Sequence, residues 1–306
     1  MARNRSKHQH WVPQFYLRYF ATPESRASAS PQVWIFSKDS ADGNETLTSI
    51  RNVCGKRYLY SPAQPSGERK WDLDDRLERV ESSLGQVWSA LAGDFVRLDE
   101  DAIRKGLALF VSLMHLRNPE VRRQVEAIHR QLIDFYEAGP LRTDGTPDVS
   151  SLEHRTRVYD VGLTDWHEYR AWGKDQHDLF FTKFIESEAR FFADLLLRKR
   201  WSVIFSEQDT FITADRPVSV EHQSRQTFGM GTKGAIVTFP LSPTRLLVMD
   251  DRHEEPANQY YPLQPSNAGA VNLTIWHGAS RFLITGRQVE QVLTEVCSVS
   301  NDGRDL

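Results

Sequence analysis

Cysteine and long apolar stretches are scarce in this sequence of 306 residues. The two cysteines, Cys54 and Cys297, lie far apart and in no spacing typical of a metal site, which excludes a disulfide-stapled scaffold. The longest nearly apolar run, residues 107–116, contains a serine and a histidine and is too short to span a bilayer. No apolar stretch of signal-peptide character follows the basic residues 1–8. We therefore expect a cytoplasmic protein with free thiols and no membrane contact.

An excess of positive charge is also lacking, since 38 Lys and Arg face 41 Asp and Glu, for a net charge of −3. The composition therefore does not indicate nucleic acid as a partner, although a local basic patch would permit it. Apolar residues make up 40% and aromatic residues 11% of the chain, which excludes a disordered protein. Arginine outnumbers lysine by 29 to 9. Arginine favours bidentate contacts with carboxylate and phosphate, and codon bias is the alternative explanation.

The middle of the chain has the periodicity of helices. Apolar residues recur at helical spacing over residues 73–91, 103–114 and 180–196, and a further helix is predicted from about Glu120 to Ala138. Short strands separated by turn residues are predicted elsewhere, at residues 33–36, 57–60, 201–205, 210–213, 235–239, 245–249 and 281–285. A turn at 39–44 and helices at 14–20, 266–278 and 288–296 complete the prediction.

This order of elements predicts an α+β fold. A mostly antiparallel sheet, built from the N- and C-terminal segments, carries a helical layer from about residues 72–200. We expect a single domain over residues 1–306, because neither end has enough strands alone. Residues 1–71 then supply strands and loops, and residues 201–306 form a strand-rich part.

The N-terminal segment HQHWVPQFYLRYF, residues 8–20, resembles the opening signature of domain-of-unknown-function family 4238. Gln9 and Trp11 stand where the family more usually has His and Tyr. Later blocks resemble the same family in the same order, namely 52–53, 57–60, 77–81, 116–119, 211–218 (FITADRPV) and 240–243 (PLSP). The resemblance covers nearly the whole chain and implies one domain. It implies no activity and no catalytic residue.

The block FITADRP contains a candidate catalytic carboxylate, Asp215, at the end of an apolar strand. Pro217 biases Arg216 towards an extended backbone, which would hold the neighbouring carboxylate rigidly at a sheet edge. A general base or a metal ligand could use that position. The alternative is an aspartate that caps a turn through backbone amides.

The segment from Lys7 to His10 contains a second candidate. His8 and His10 alternate on an extended segment and therefore point to the same side, as metal ligands do. A divalent metal is a candidate cofactor, and its carboxylate ligand would come from far along the chain, for example from Asp215. The alternative is one histidine hydrogen-bonded in the aromatic core and one exposed.

Complete catalytic motifs are lacking. Residues 229–234, GMGTKG, lack the spacing of a phosphate-binding loop, and the sequence contains neither a Gly-x-Ser-x-Gly elbow nor a His-Glu-x-x-His motif. Arg117, at a predicted helix end, and Arg216 are the candidate substrate-binding residues.

Two functions follow as hypotheses. The first is a hydrolase acting on a phosphoester or nucleic acid, whose catalytic residues His10 and Asp215 face one cleft. The second is a non-catalytic sensor, effector or protein-interaction module, in which the same blocks stabilise the fold. Aromatic residues and arginine, which are abundant here, suit such an interface.

Overall fold

The computed structural model describes residues 5–38, 45–64, 66–149, 151–154, 157–160 and 163–302. The turn predicted at 39–44 lies outside the described residues. The helices are α1 (Gln14–Leu17), α2 (Asp72–Gly93), α3 (Asp101–Leu116), α4 (Pro119–Glu137), α5 (Trp166–Arg170), α6 (Lys174–Leu197), α7 (Ala268–Gly278) and α8 (Val289–Asp302). The strands are β1 (His8–His10), β2 (Gln32–Ser37), β3 (Glu45–Ser49), β4 (Gly55–Arg57), β5 (Ser151–His154), β6 (Arg157–Asp160), β7 (Arg200–Phe205), β8 (Thr213–Ala214), β9 (Ser219–Glu221), β10 (Ile236–Ser242), β11 (Arg245–Asp250), β12 (Gln259–Pro262) and β13 (Phe282–Thr285).

Two larger sheets contain most of these strands. One has the order β12-β7-β11-β10-β9, in which the β12–β7 pair is parallel and the other pairs are antiparallel. The other has the order β3-β2-β13-β8 and is antiparallel. It joins strands β2 and β3 of the N-terminal segment to β8 and β13 of the C-terminal one. The predicted α+β class is therefore confirmed, with most strands divided between these two sheets and the pairs β1–β4 and β5–β6 forming two small ones.

Helices α2 to α6 occupy most of the predicted helical layer, which the short β5–β6 hairpin interrupts. Three aspartates in the first turn of α2 match the positive end of its dipole. Helix α4 begins at Pro119, a favourable first helical residue, and the side chain of Asn118 accepts a hydrogen bond from the Glu120 amide at 2.8 Å. The sequence predicted the break between α3 and α4 at this point.

Two strand predictions need correction. The strand expected at 57–60 ends at Arg57, because Tyr58 has a positive φ of 55° and turns the chain. The strand expected at 210–213 is reduced to Thr213–Ala214. Before it, the amide of Phe211 donates to the Pro243 carbonyl and the amide of Ile212 donates to the Asn272 side chain, so neither joins a strand ladder.

The core joins all three chain segments through aromatic side chains. The fully buried Trp88 of α2 contacts Phe15 and Phe110, with ring centroids 5.4 and 5.1 Å away. Tyr16 stacks on Phe239 at 5.4 Å, and its hydroxyl donates to the Pro240 carbonyl at 2.8 Å. The N-terminal block is therefore anchored in the C-terminal strands, and the single domain stays a prediction.

In the part of the chain that the structure describes, no helix is both long and apolar enough to cross a membrane.

Candidate functional site

The Asp215 carboxylate is bound by the backbone of the loop between α7 and β13. Its Oδ1 accepts hydrogen bonds from the amides of Ser280 at 2.9 Å and Arg281 at 3.2 Å. The residue is buried, and this burial raises the pKa of Asp215 in spite of the amides, which lower it. The geometry is that of a carboxylate capping a turn, the alternative that the sequence left open.

His10 lines a cavity of about 400 Å³. Asp215 is not among the residues that line this cavity. The ring Nε2 of His10 donates to the Arg51 carbonyl at 3.1 Å, and burial lowers the pKa of His10. The rings of His8 and His10 are 4.9 Å apart, as expected for alternate residues of one strand. Carboxylates of α2, including Asp74, line the same cavity. The structure therefore does not bring His10 and Asp215 to one cleft.

No cluster of metal-ligating side chains among the described residues supports metal binding. Among the described residues, no set of three or more His, Cys, Asp or Glu side chains is arranged to hold a metal ion. The divalent metal stays a prediction.

Arg117, a predicted substrate-binding residue, is 1% exposed. Its guanidinium donates to the Trp11 carbonyl at 2.8 Å and to the Glu81 carboxylate at 2.6 Å. Its carbonyl accepts from the Tyr60 hydroxyl at 2.8 Å. These contacts join α3, α2 and the N-terminal block, so its donors are directed to the protein.

Arg216, the other predicted substrate-binding residue, lines a cavity of about 1100 Å³. Strand β9, the start of α4 and the ends of α3 and α7 contribute to its walls. Arg216 lies between β8 and β9, with Pro217 after it. We name this space the Arg216 cavity, and the polar residues that matter here are His115, Glu120, Arg216, Ser219, Glu221, His277 and Ser280.

Four buried polar atoms of the Arg216 cavity have no hydrogen-bond partner among the described residues. They are His115 Nδ1, Arg216 Nε, Ser219 Oγ and Ser280 Oγ. An unpaired buried polar atom costs about 1–3 kcal/mol, so a folded protein rarely retains several in one place. Their occurrence around one cavity marks it as the candidate site.

The Arg216 cavity holds charges of both signs, because Arg216 lines it together with Glu120 and Glu221. Burial, together with the Arg216 charge, lowers the pKa of His115 to about 4, so this imidazole is neutral at neutral pH. Burial also lowers the pKa of Arg216, while the charge of Glu120 raises it, and arginine stays cationic in proteins. The cavity thus combines the cation Arg216 with two carboxylates, the neutral His115 and two serine hydroxyls.

A comparison with protein families gives one match. A family described as "protein of unknown function (DUF4238)" matches residues 8–288. The chain belongs to this family. No curated protein and no solved structure matches the chain. The family match extends over all lining residues of the Arg216 cavity and over those of the His10 cavity from His8 onwards.

Sequence reasoning missed three residues of the Arg216 cavity, namely His115, Ser219 and Ser280. A signal for His115 was present, because it interrupts the apolar face of a predicted helix at its C-terminal end. The two serines had no comparable signal, since serine is common in exposed turns and strand ends.

Proposed function

We propose that this chain is a phosphoester hydrolase whose substrate binds in the Arg216 cavity. The observation that carries the proposal is that Arg216 and His115 line one cavity, and that the buried Arg216 Nε and His115 Nδ1 both lack a partner among the described residues. Guanidinium and hydroxyl groups donate to phosphate oxygens, and hydrogen bonds between charged partners are stronger than neutral ones. A cavity of about 1100 Å³ has room for a compound as large as a nucleotide.

In this proposal Arg216 neutralises the phosphate charge, and His115 handles the proton. The neutral imidazole takes a proton from a water molecule as the water oxygen bonds to phosphorus. The ester P–O bond breaks, and the leaving alkoxide receives the proton from His115. A bound phosphate opposes the Arg216 charge and therefore raises the pKa of His115 towards the value that acid–base catalysis needs.

The alternative function is a non-catalytic sensor or effector that binds the same anion. The observation that favours it is that the Asp215 carboxylate accepts from the Ser280 and Arg281 amides. This strand-end carboxylate is thus committed to the fold, and the unpartnered cavity atoms include three donors, on Arg216, Ser219 and Ser280. A protein or a nucleic acid would then be the partner that receives the signal.

Binding and turnover together distinguish the two functions. Thermal shift would be measured with inorganic phosphate, nucleoside mono-, di- and triphosphates and a short RNA, with divalent cations or with EDTA. Hydrolysis would be assayed with p-nitrophenyl phosphate and its bis-ester. We expect Arg216→Gln to weaken binding about 10- to 100-fold and His115→Asn to abolish turnover. Arg225→Gln, at an exposed position outside the cavity lining, is the matched control.

Each outcome has a definite meaning. Hydrolysis that both variants lose supports the enzyme. Binding that Arg216→Gln weakens, with no turnover of any ester, supports the sensor. Stabilisation by none of the phosphate compounds contradicts both, and a requirement for a divalent cation would support the predicted metal.

We also propose that the protein is cytoplasmic. Both cysteines are free thiols, Cys54 buried and Cys297 exposed, and an exposed free thiol is typical of a reducing compartment. Cell fractionation tests this location, and recovery of the protein in a membrane or secreted fraction would contradict it.

A further inference from the structure

A second cavity, of about 440 Å³, lies between α4 and α5, away from the Arg216 cavity. Four aromatic side chains line it, from α4, from α5 and from the residues after α5. We name it the aromatic cage, and its defining residues are Tyr136, Trp166, Tyr169 and Trp172, with the carboxylates Asp165 and Glu168.

The walls of the aromatic cage are held in place by a histidine that does not line it. His129 stacks on Trp172, with ring centroids 5.3 Å apart and planes 9° from parallel, and meets the Tyr169 ring edge-on at 4.4 Å. Its Nε2 donates to the Tyr169 carbonyl at 2.8 Å, and its Nδ1 accepts from His177 at 3.2 Å. These bonds fix two cage walls before any ligand binds, which lowers the entropic cost of binding.

Trp166 supplies the observation that points to a ligand. The residue is 2% exposed and lines the cage, yet its indole N–H has no hydrogen-bond partner in the described part of the chain. A buried tryptophan usually satisfies this donor. A ligand with an acceptor atom would supply the partner.

The charge at the cage is negative. Asp165 and Glu168 are exposed at its lining and form no ion pair with another described residue, whereas the neighbouring Arg170 pairs with Glu137. Carboxylates beside aromatic faces favour a cation, since the faces carry the negative part of the ring quadrupole.

We propose that the aromatic cage binds an organic cation that has a trimethylammonium group and a nearby hydrogen-bond acceptor. Aromatic faces attract such a cation, and a quaternary nitrogen has no N–H donors that burial would leave unpaired. The acceptor, a hydroxyl, carboxylate or amide oxygen of the ligand, takes the Trp166 N–H. This inference does not depend on the proposed hydrolase.

Isothermal titration of the full chain tests the proposal with two kinds of probe. Choline and betaine represent a free cation, and a peptide with trimethyllysine represents the same group on a side chain. The uncharged isostere 3,3-dimethyl-1-butanol separates charge recognition from apolar burial. We expect it to bind about tenfold or more weakly than choline.

Three variants locate the binding site. Trp172→Leu should weaken binding about tenfold or more, and Trp166→Phe should weaken betaine and choline more than tetramethylammonium, which has no acceptor. Phe95→Ala, at an exposed aromatic residue outside the cage, is the control and should leave the affinity unchanged. Circular dichroism verifies that each variant is folded.

The outcomes decide the proposal. If the peptide binds more tightly than choline, the trimethylammonium group of the ligand belongs to a modified side chain. If choline binds more tightly than the peptide, the ligand is a free organic cation. Equal binding of choline and its uncharged isostere overturns the proposal, as does the absence of binding to every probe that has a quaternary ammonium group. Binding that Trp172→Leu leaves unchanged also overturns it.

Discussion

The indole N–H of Trp11 donates a 2.9 Å hydrogen bond to the backbone carbonyl of Asp215, 204 positions further along the chain. The same carbonyl accepts a second bond, of 2.7 Å, from the side-chain amide of Asn118. The N-terminal block and the FITADRP block therefore do meet, but through a tryptophan and a carbonyl rather than through His10 and a carboxylate. This contact explains how two separated blocks can both be required for one fold.

A double-mutant cycle measures the value of this contact. Trp11→Phe and Asn118→Ser should each lower the free energy of unfolding by about 1 kcal/mol, because one donor to the Asp215 carbonyl remains. The double variant should lose about 1 kcal/mol more than their sum, because the buried carbonyl then has no partner. Serine at 118 keeps a cap for α4. Urea unfolding of the four proteins gives the coupling.

Trp276→Phe controls for the loss of indole area. Among the described residues, the indole N–H of Trp276 makes no hydrogen bond to the protein, and its ring packs on Phe36. This variant should show no coupling with Asn118→Ser. Strict additivity of Trp11→Phe and Asn118→Ser would show that the shared carbonyl does not link them.

Arg117 gives a second prediction, which separates a structural role from substrate binding. Arg117→Met removes the partner of Glu81 and the donor to the Trp11 carbonyl, so unfolding should become easier by about 3 kcal/mol. Arg123→Met, which loses only an exposed ion pair with Glu120, should cost less than about 1 kcal/mol. Chemical denaturation checks both values. An Arg117→Met protein of unchanged stability that no longer binds phosphate compounds would restore the substrate-binding assignment.

The fold was largely predictable, because its signals are local and repeated. The stripe of α2, with Leu77 and Trp88 buried, and the Asn118–Pro119 helix start are visible in the sequence. The candidate site could not be predicted from the sequence, because it depends on which polar atoms stay unpaired after folding. Nothing in the sequence distinguishes Arg117, whose donors bind the protein, from Arg216, whose Nε lacks a described partner.

The low pKa of His115 predicts how stability depends on pH. In the unfolded chain this histidine takes up a proton near its ordinary pKa of about 6.5, whereas in the folded protein it stays neutral down to about 4. The unfolded state therefore binds more protons between these values, and the free energy of unfolding falls as the pH falls through that window. His115→Gln should remove on the order of 2 kcal/mol of this decrease, a value reduced for the solvent that reaches the cavity.

Urea unfolding at several pH values between 4 and 7 measures this slope. Burial also lowers the pKa of His10 and His177, so both contribute in the same direction and remain in the variant. His253→Gln, at an exposed position, is the control and should keep the wild-type slope. A His115→Gln protein with the wild-type slope would show that His115 is not desolvated in solution.

Gly278 and Ser219 give the last prediction, because the end of α7 touches β9 at the Arg216 cavity. A Cβ on Gly278 would lie 2.5 Å from Ser219 Oγ and 3.3 Å from Ser219 Cβ, so Gly278→Ala should cost about 1–3 kcal/mol. Ser219→Ala removes the closer atom, a buried hydroxyl without a described partner, and should be nearly neutral alone. The double variant should recover most of the stability that Gly278→Ala loses.

Gly85→Ala in α2, where the new methyl meets no atom within 4 Å, is the control and should stabilise by about 0.5–1 kcal/mol. Thermal and urea unfolding measure the wild type and all four variants, and titration of the same proteins with phosphate compounds separates an effect on the fold from an effect on the site. If Ser219 contributes to the proposed anion site, the double variant regains stability but binds more weakly than the wild type. Recovery of both stability and affinity would exclude Ser219 from that site.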